Sequence, residues 1–358
     1  MKWWVIALGV TGILAIGGVG LLVLQPHPAP VSPAKITIRS QPAQPAINTN
    51  EDAIDQKSIA LTFVGDIMLD RYVRTTIETH TPLWPFEKIL PELTGDVVIG
   101  NLEGPFTDQL SEATDEHLIF TFDPSHAIGL RQAGFTDVSL ANNHTLNFGS
   151  AGLTSTRATL NTQGLQYFGD PRNQTGFGRT IHINDRTVTF VGYHGLVGGL
   201  DRVLEEVNTA KKSGATVIVM AHWGTEYQDT ASSKQVQDAH ALIEAGADII
   251  IGAHPHVIQP IEVYQNKLIV YSLGNFLFDQ YFSPETLRGM VLHLNLGNDT
   301  LSTQFVPVVT VRGQIEKMPA PDRDVLLQEL AKKSTIPSGF STDMSRRLFT
   351  LPFFYATQ

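Results

Sequence analysis

Short apolar runs that each end in a polar side chain recur along this chain of 358 residues. Residues 217–221 (VIVMA) lead into His222, and residues 248–253 (DIIIGA) lead into His254 and His256. A buried parallel strand has such a continuous apolar run, and the ligands of α/β folds gather at the carboxyl ends of strands. The pattern therefore predicts three imidazoles at one edge of one sheet.

Oxygen-bearing side chains end three earlier runs of the same kind. These are residues 59–65 before Asp66, residues 96–100 before Asn101 and Glu103, and residues 136–141 before Asn142, Asn143 and His144. Mixed nitrogen and oxygen ligands without thiolate suit Zn²⁺, Mn²⁺ or Fe rather than Ca²⁺. The alternative is an isolated polar residue at each strand end. Because five strand ends share the feature, we favour a common metal site.

Composition narrows the class of protein. The chain has no cysteine, which excludes a disulfide scaffold, a thiolate zinc site and a cysteine nucleophile. The net charge of −10 argues against nucleic acid as a partner, because nucleic-acid binding needs a basic surface. An anionic substrate would need local positive charge, which bound metal ions supply.

The amino-terminal segment predicts a membrane anchor. Residues 3–24 contain no charged side chain and are long enough to cross a bilayer as a helix. The length of this run, and the lack of a clear small-residue cleavage site after it, favour an uncleaved anchor over a signal peptide. We expect an anchor at residues 1–25 with its amino end in the cytoplasm. A proline-rich linker at residues 26–57 would follow, either as an extended spacer or as a segment without a spacing role.

From residue 58 onward the pattern predicts mixed sheets. The predicted helices are residues 84–93, 125–134, 150–164, 200–213, 232–246 and 325–332, and the predicted hairpins join 180–183 to 186–191 and 261–264 to 267–271. Helix-linked strands followed by hairpins indicate two packed sheets with helices outside. We expect a domain at residues 58–312, and a helix and tail at 313–358.

Six motifs occur in an order that resembles a known family. They are GDIML (65–69), NLE (101–103), ANNH (141–144), HWGTEY (222–227), GAHPHV (252–257) and SLGNF (272–276). The chain resembles the CapA family of bacterial poly-γ-glutamate capsule synthesis, which is similar to the calcineurin-like metallophosphoesterases. The resemblance covers about residues 58–311. It implies an α/β fold, a metallophosphoesterase-like α/β/β/α sandwich of mixed sheets, here preceded by the amino-terminal transmembrane helix.

The resemblance also implies roles for individual residues. The ligands of two divalent ions (Mn, Zn or Fe) would be Asp66, Glu103, Asn143, His222, His254 and His256, with Glu103 bridging the ions. His144 would be the general acid. His254 and His256 would point the same way if their segment is extended, because side chains alternate with period two. Asn101, Glu226 and Asn275 would line the pocket or hold a ligand in place.

Each assignment has an alternative. Asp66 and Glu103 also suit caps of a following turn, and His144 also suits a histidine that satisfies backbone carbonyls. Glu226 would replace a missing ligand, hold a histidine, or be a plain solvated glutamate.

Two positions depart from the family pattern. Metallophosphoesterases usually carry a histidine at the position of Met68, so one metal loses a nitrogen ligand. Relatives in the CapA family often have an aspartate at the position of Asn147. An acid there would orient His144 or favour its charged form, whereas Asn147 only forms hydrogen bonds.

Three functions remain open at this point. The first is a single-pass, extracytoplasmic, metal-dependent hydrolase of a phosphate ester or related bond in the cell envelope. The second is a non-catalytic, metal-binding component of a polyglutamate or capsule assembly complex. The third is a γ-glutamyl bond hydrolase or transferase. The expected partners are the membrane, an anionic polymer or phosphorylated envelope substrate, and polyglutamate synthase subunits.

Overall fold

A computed structural model describes residues 58–109, 118–336, 341–343 and 348–352. The predicted anchor at residues 1–25 and the linker at 26–57 lie outside these ranges. Within them, no helix has the length and apolar character needed to cross a membrane.

The described residues form sixteen strands and six α-helices. The strands are β1 (Ile59–Ile67), β2 (Val97–Leu102), β3 (Asp137–Ser139), β4 (Gln166–Phe168), β5 (Gly178–Ile183), β6 (Arg186–His194), β7 (Thr216–His222), β8 (Ile249–Ala253), β9 (Ile261–Tyr264), β10 (Lys267–Val270), β11 (Asn275–Leu277), β12 (Arg288–Leu296), β13 (Thr300–Val311), β14 (Gln314–Lys317), β15 (Ser341–Asp343) and β16 (Leu348–Pro352). The α-helices are α1 (Arg71–Thr79), α2 (Ala127–Gln132), α3 (Gly149–Thr162), α4 (Leu200–Lys212), α5 (Ser233–Ala245) and α6 (Ala320–Lys333).

The strands form two mixed sheets. In the first sheet the order is β15-β16-β13-β12-β1-β2-β3-β4, and β11 and β14 pair with β1 and β13. In the second sheet the order is β5-β6-β7-β8-β10-β9. Strands β1 to β4 are mutually parallel, as are β6, β7, β8 and β10. Both predicted hairpins, β5–β6 and β9–β10, are present.

Alternation along the strands separates the apolar layers. In β7, Ile218 and Met220 face the core between the sheets, while Val217 and Val219 join the cluster that packs against α4 and α5. Helices α1, α2 and α3 cover the outer face of the first sheet in the same way. The architecture is thus an α/β/β/α sandwich, in agreement with the sequence prediction. Helix α6 differs, because its Leu327 and Leu330 join the core between the sheets.

One helical prediction needs correction, and one helix was missed. Residues 84–93 form two short 3₁₀ helices, Trp84–Phe86 and Leu90–Glu92, instead of one α-helix. Each contains a proline in its first turn, and Pro91 would break a continuous helix because it lacks an N–H. Helix α1, which begins after its cap Asp70, was not predicted.

Candidate metal centre

The carboxyl ends of five parallel strands meet at one end of the sandwich. The six predicted ligands all lie there: Asp66 in β1, Glu103 after β2, Asn143 after β3, His222 at the end of β7, and His254 and His256 after β8. Three come from the first sheet and three from the second. The structure therefore brings together side chains that sequence reasoning had placed at separate strand ends.

Glu103 is common to two groups of potential ligands. One ligand atom from each of Glu103, His222 and His254 lies within 4.8 Å of the others, and the same holds for Asp66, Glu103 and His256. A carboxylate shared in this way is the arrangement that lets one side chain bridge two ions.

The carboxylate of Glu103 lacks a partner. It is fully buried, and among the described residues neither of its oxygens has a hydrogen-bond donor. Burial, and then the nearby carboxylate of Asp66, raise the pKa of Glu103 well above its usual value. A buried carboxylate without a partner is costly, and a divalent cation would satisfy it. The residues present therefore fit a bound metal.

Asp66 is buried but well supported. Its Oδ1 accepts a hydrogen bond from Nδ2 of Asn101 at 2.8 Å, and its Oδ2 accepts one from the backbone N–H of His254 at 3.1 Å. Burial opposes ionisation, but the interactions with His256, Asn101 and the His254 N–H outweigh it and hold the pKa of Asp66 below its usual value. Asp66 is thus an oriented carboxylate and does not cap a helix, since Asp70 caps α1.

The imidazoles of His222 and His254 favour the neutral state. Burial, and then the charge of neighbouring histidines, lower the pKa of His254 to about 4 and lower that of His222 well below its usual value. Neutral imidazole is the form that binds metal ions. Among the described residues, the buried Nδ1 of His254 has no hydrogen-bond partner. Nε2 of His222 lies 2.8 Å from Oδ1 of Asn143, so the ligand atoms of these two predicted ligands are in direct contact.

His254 and His256 reach the site by a different backbone path from the one expected. Their segment is not extended, because His254 has φ +94° and His256 has φ +59°. Strand alternation therefore does not explain their common direction. The turn still leaves their ring centroids 5.9 Å apart, and the bond from the His254 N–H to Asp66 anchors it.

Asn275 sets the orientation of His256. Its Nδ2 donates to Oε1 of Gln280 and to the backbone oxygen of Thr286, so its Oδ1 is the atom that accepts from Nδ1 of His256, at 2.9 Å. The proton of a neutral His256 therefore resides on Nδ1. Its Nε2, 3.7 Å from Oε1 of Glu103, is left with a lone pair toward the site.

Asn147 does the same for His144. Oδ1 of Asn147 accepts the backbone N–H of Phe120 at 2.8 Å and also contacts Nδ1 of His144 at 3.1 Å, so that nitrogen must be the donor. Nε2 of His144 then faces Glu103, 3.9 Å from Oε1. Burial lowers the pKa of His144 to about 4, although the contact with Asn147 opposes this shift.

Asn101 lies behind the ligands. Its Nδ2 contacts Oδ1 of Asp66 and, at 3.1 Å, Nδ1 of His222, so it joins groups from both sheets. Its Oδ1 accepts from Nδ2 of Asn142, a strand-end residue to which sequence reasoning gave no role. Asn142 also accepts the backbone N–H groups of His144 and Thr145, so it shapes the loop that carries Asn143.

Glu226 and Met68 differ in their position relative to the predicted ligands. The carboxylate of Glu226 lies with the imidazoles of His254 and His256, with ligand atoms within 4.8 Å of one another. Met68, by contrast, is packed in the apolar cluster beneath α1 to α3, and its sulfur accepts the N–H of Asp70 at 3.0 Å. Glu226 therefore lies where a further ligand would be useful.

Two further residues lie near the centre, and the first of them was missed by the sequence analysis. Arg71, at the start of α1, lines a cavity of about 410 Å³ together with His144, Glu226 and His256. No local pattern marks it. His194 ends β6 directly beside His222 and carries a buried Nε2 without a hydrogen-bond partner among the described residues. The strand-end pattern that singled out His222 also marks His194, which follows the apolar residues 190–193 and to which sequence reasoning gave no role.

The fold and the ligand cluster define a class: two-sheet α/β/β/α proteins with a candidate metal centre where parallel strands end. The family model for bacterial capsule synthesis proteins (PGA_cap) matches residues 60–280. This chain belongs to that family, which confirms the resemblance to CapA proteins drawn from the six motifs.

Curated relatives match most of the chain. It is 30% identical to the PGA biosynthesis protein CapA of Bacillus subtilis over an alignment of 316 residues, and this alignment covers 81% of each chain. It is 30% identical over 307 residues to the capsule biosynthesis protein CapA of Bacillus anthracis, covering 78% of this chain and 75% of the relative. A probable polyglutamine synthesis accessory protein of Mycobacterium tuberculosis is 25% identical over 290 residues, or 70% of this chain and 76% of the relative.

Proposed function

We propose that this protein is a metal-dependent hydrolase, phosphoesterase-like in its chemistry, that acts in capsule or poly-γ-glutamate synthesis. One observation carries the proposal. Glu103, with both oxygens buried and without partners among the described residues, is shared by two groups of metal-competent side chains. A purely structural carboxylate would be hydrogen-bonded at such a depth.

Two ions would be held by different parts of the cluster. Asp66, Glu103 and His256 would hold one, and Glu103 with Asn143, His222 and His254 the other. Divalent ions in such a pair supply Lewis-acid stabilisation of the negative charge on the reacting oxygens.

The remaining residues would position groups and move a proton. His144 would take up at Nε2, the nitrogen that Asn147 leaves free, the proton that the attacking water releases, and would pass it to the leaving oxygen, while Nδ1 keeps its own proton. Phe120 packs against the His144 ring at 4.3 Å between centroids, which restrains the imidazole and excludes water from one face. Asn275 would keep Nε2 of His256 directed at the centre.

The experiment that tests this proposal measures metal and turnover in the full-length protein. We expect one to two equivalents of Mn²⁺, Zn²⁺ or Fe in the wild type, and loss of most of it in His222→Ala/His254→Ala. His182→Ala is the matched control, because this histidine is exposed and its hydrogen-bond contact is with Thr187 of the β5–β6 hairpin and not with a predicted ligand. Unchanged metal content in the double variant would refute the assignment.

Turnover would then be screened on phosphomonoesters, phosphodiesters and γ-glutamyl peptides. Hydrolysis of a phosphate ester supports the main proposal, whereas cleavage of the γ-glutamyl peptide supports a γ-glutamyl hydrolase or transferase. The absence of turnover on every class, with metal bound, contradicts both.

A second function is favoured by Met68. Because Met68 offers no nitrogen and is packed in the core, the first ion would have one ligand fewer than in metallophosphoesterases, unless a carboxylate oxygen of Glu226 takes that place. A weaker centre of this kind suits a non-catalytic component that binds an anionic polymer within an assembly complex. The relatives named as accessory or biosynthesis proteins support either role.

We place this activity at the outer face of the cell membrane. The support is the uncharged run at residues 3–24 and the linker composition that follows it. The membrane, polyglutamate synthase subunits and an anionic polymer or phosphorylated envelope intermediate would be the partners.

A further inference from the structure

The cavity beside the candidate metal centre contains one strong cation. Among the described residues that line it, Arg71 is the single arginine or lysine, and the acidic groups are Glu226 and Asp279. The other walls are imidazole, aromatic, leucine and glutamine side chains. Any anionic group of a substrate that enters this cavity therefore meets one permanently charged donor.

The backbone at Arg71 is in an unfavourable conformation. Its φ of +51° lies in the left-handed region, which costs free energy for any residue with a Cβ atom. Arg71 is also the first residue of α1, where the helix dipole favours negative rather than positive charge. The positive φ and the position of a cation at the start of a helix are both unfavourable, yet both are present where this side chain lines the cavity. Backbone strain of this kind tends to occur at functional sites.

The guanidinium is held firmly but is only partly satisfied. Nη2 donates to Asp279, and the group lies over the rings of Phe120 and Phe278, 5.3 and 5.7 Å from their centroids. Its Nε is buried and has no partner among the described residues. A guanidinium offers five N–H donors in a fixed fork, so it retains donors for a second oxyanion.

The same two phenyl rings connect Arg71 to the centre. Phe120 contacts the ring of His144 at 4.3 Å, and Phe278 contacts the ring of His256 at 4.8 Å. An oxyanion bound to the Arg71 guanidinium would therefore lie in the same cavity as a substrate bond that reacts beside His144 and His256.

We propose that Arg71 is a substrate-binding residue that receives an oxyanion of the substrate, either a carboxylate or a phosphate, in the cavity beside the metal centre. This inference rests on the proposed function in that it takes the cavity as the place where the substrate enters. Asp279 and the two phenylalanines hold the guanidinium in position for that contact.

The test is calorimetric titration of the full-length protein with two probes, inorganic phosphate and tri-γ-glutamate. Each probe is titrated in two series, one in the presence of a chelator and one in the presence of Mn²⁺. The chelator series isolates Arg71 from the attraction of a metal. In it, Arg71→Gln should weaken binding of the preferred probe by about 10- to 100-fold, because a charge-assisted hydrogen bond is lost. Preference for phosphate indicates a phosphorylated substrate, and preference for tri-γ-glutamate indicates a carboxylate polymer.

Two further variants guard against misfolding. Arg71→Gly removes the side chain and relieves the backbone at φ +51°, so it should remain folded and still lose binding. Arg71→Lys should retain part of the affinity, because the charge remains while the fork is lost. Arg323→Gln, in an arginine–aspartate pair of α6 outside the cavity, is the matched control and should bind as the wild type does.

The inference is overturned if the wild type binds neither probe in chelator, or if Arg71→Gly binds like the wild type. Metal content, measured on the same samples, separates this failure from that of the proposed function. A wild type without metal refutes the metal centre, and the chelator series still decides the role of Arg71.

Discussion

Asparagine side chains orient the imidazoles of the candidate metal centre. In His144 and His256 one ring nitrogen is engaged by an asparagine, which leaves the other nitrogen for the site; in His222 both are engaged, Nδ1 by Asn101 and Nε2 by the predicted ligand Asn143. The pairs are Asn147 with His144, Asn275 with His256, and Asn101 with His222. Substitutions of these asparagines should therefore alter activity or metal affinity without removing a ligand.

His144→Ala should lose turnover and keep its metal. If His144 protonates the leaving oxygen, the loss is about 10²–10⁴-fold in rate. The loss should shrink for nitrophenyl esters, whose leaving group needs little protonation. Steady-state kinetics on alkyl and nitrophenyl esters, with metal analysis of the same samples, measure both effects. An equal loss on the two esters would argue against a proton donor.

Asn147 provides the companion variants for this prediction. Asn147→Leu removes the acceptor that holds Nδ1 of His144 and should lower turnover. Asn147→Asp keeps an oxygen acceptor at that place and should retain more activity than the leucine variant. Similar rates in the two would show that the contact does not position the ring.

At the scale of elements, close backbone approach sets the position of Asp66. Strand β1 runs against β11, and Asp66 lies opposite Asn275 in that pairing. Gly65 permits it, because a Cβ atom on this residue would lie 1.8 Å from the backbone oxygen of Gly274. One ligand and the asparagine that orients another are thus placed by a single contact between strands.

Gly65→Ala should destabilise the protein by about 3 kcal/mol or more, since a backbone atom cannot move aside as a side chain can. Urea unfolding measures this change. Gly198→Ala is the matched control, because the added Cβ would have no atom within 4 Å, and it should change stability by less than about 0.5 kcal/mol. Equal midpoints for the two variants would contradict the packing argument.

At the scale of the whole molecule, the candidate centre joins the two sheets. Asp66, Glu103 and Asn143 follow strands of the first sheet, whereas His222, His254 and His256 follow strands of the second. An ion bound by both sets cross-links the layers of the sandwich. Metal binding should therefore stabilise the global fold as well as the site.

Removal of metal should lower the free energy of unfolding. A ligand at 100 times its Kd that binds only the folded state contributes about 2.7 kcal/mol. Thermal or urea unfolding with chelator, and after addition of Mn²⁺, measures the difference. The stabilisation should be absent in His222→Ala/His254→Ala, and a stability that does not respond to metal in the wild type would count against the centre.

In Glu103→Gln, the expected difference in stability from the wild type changes sign when metal is added. Without metal, the glutamine removes a buried carboxylate that lacks a partner among the described residues, so this variant should be at least as stable as the wild type. With metal, the wild type should be the more stable of the two.

The membrane prediction also belongs to the whole molecule. The uncharged run at residues 3–24 should keep the intact protein in the membrane fraction. Protease added to spheroplasts should digest the domain that begins near residue 58, with a cytoplasmic protein as the protected control. A domain that resists protease until the cells are lysed would reverse the proposed topology.

The sequence by itself determined the strands and the groups that end them. The apolar runs before Asp66, His222 and His254 predict buried strands, because a parallel strand that is buried on both faces has apolar residues at consecutive positions. Helix α5 was equally readable, since Ser232 forms its capping box and Gly246 ends it with φ +119°. These are local signals: they indicate the two-sheet α/β class and the polar groups at the strand ends, whereas the individual ligand assignments came from the family resemblance.

Only the tertiary structure decided how the ligands are oriented and what surrounds them. The turn at His254 and His256 has positive φ at both residues, and its bond to Asp66 joins residues 188 positions apart. The contact between Arg71 and Asp279 spans 208 positions. Such arrangements depend on the packing of distant segments, which offsets local strain, so no short stretch of sequence contains them.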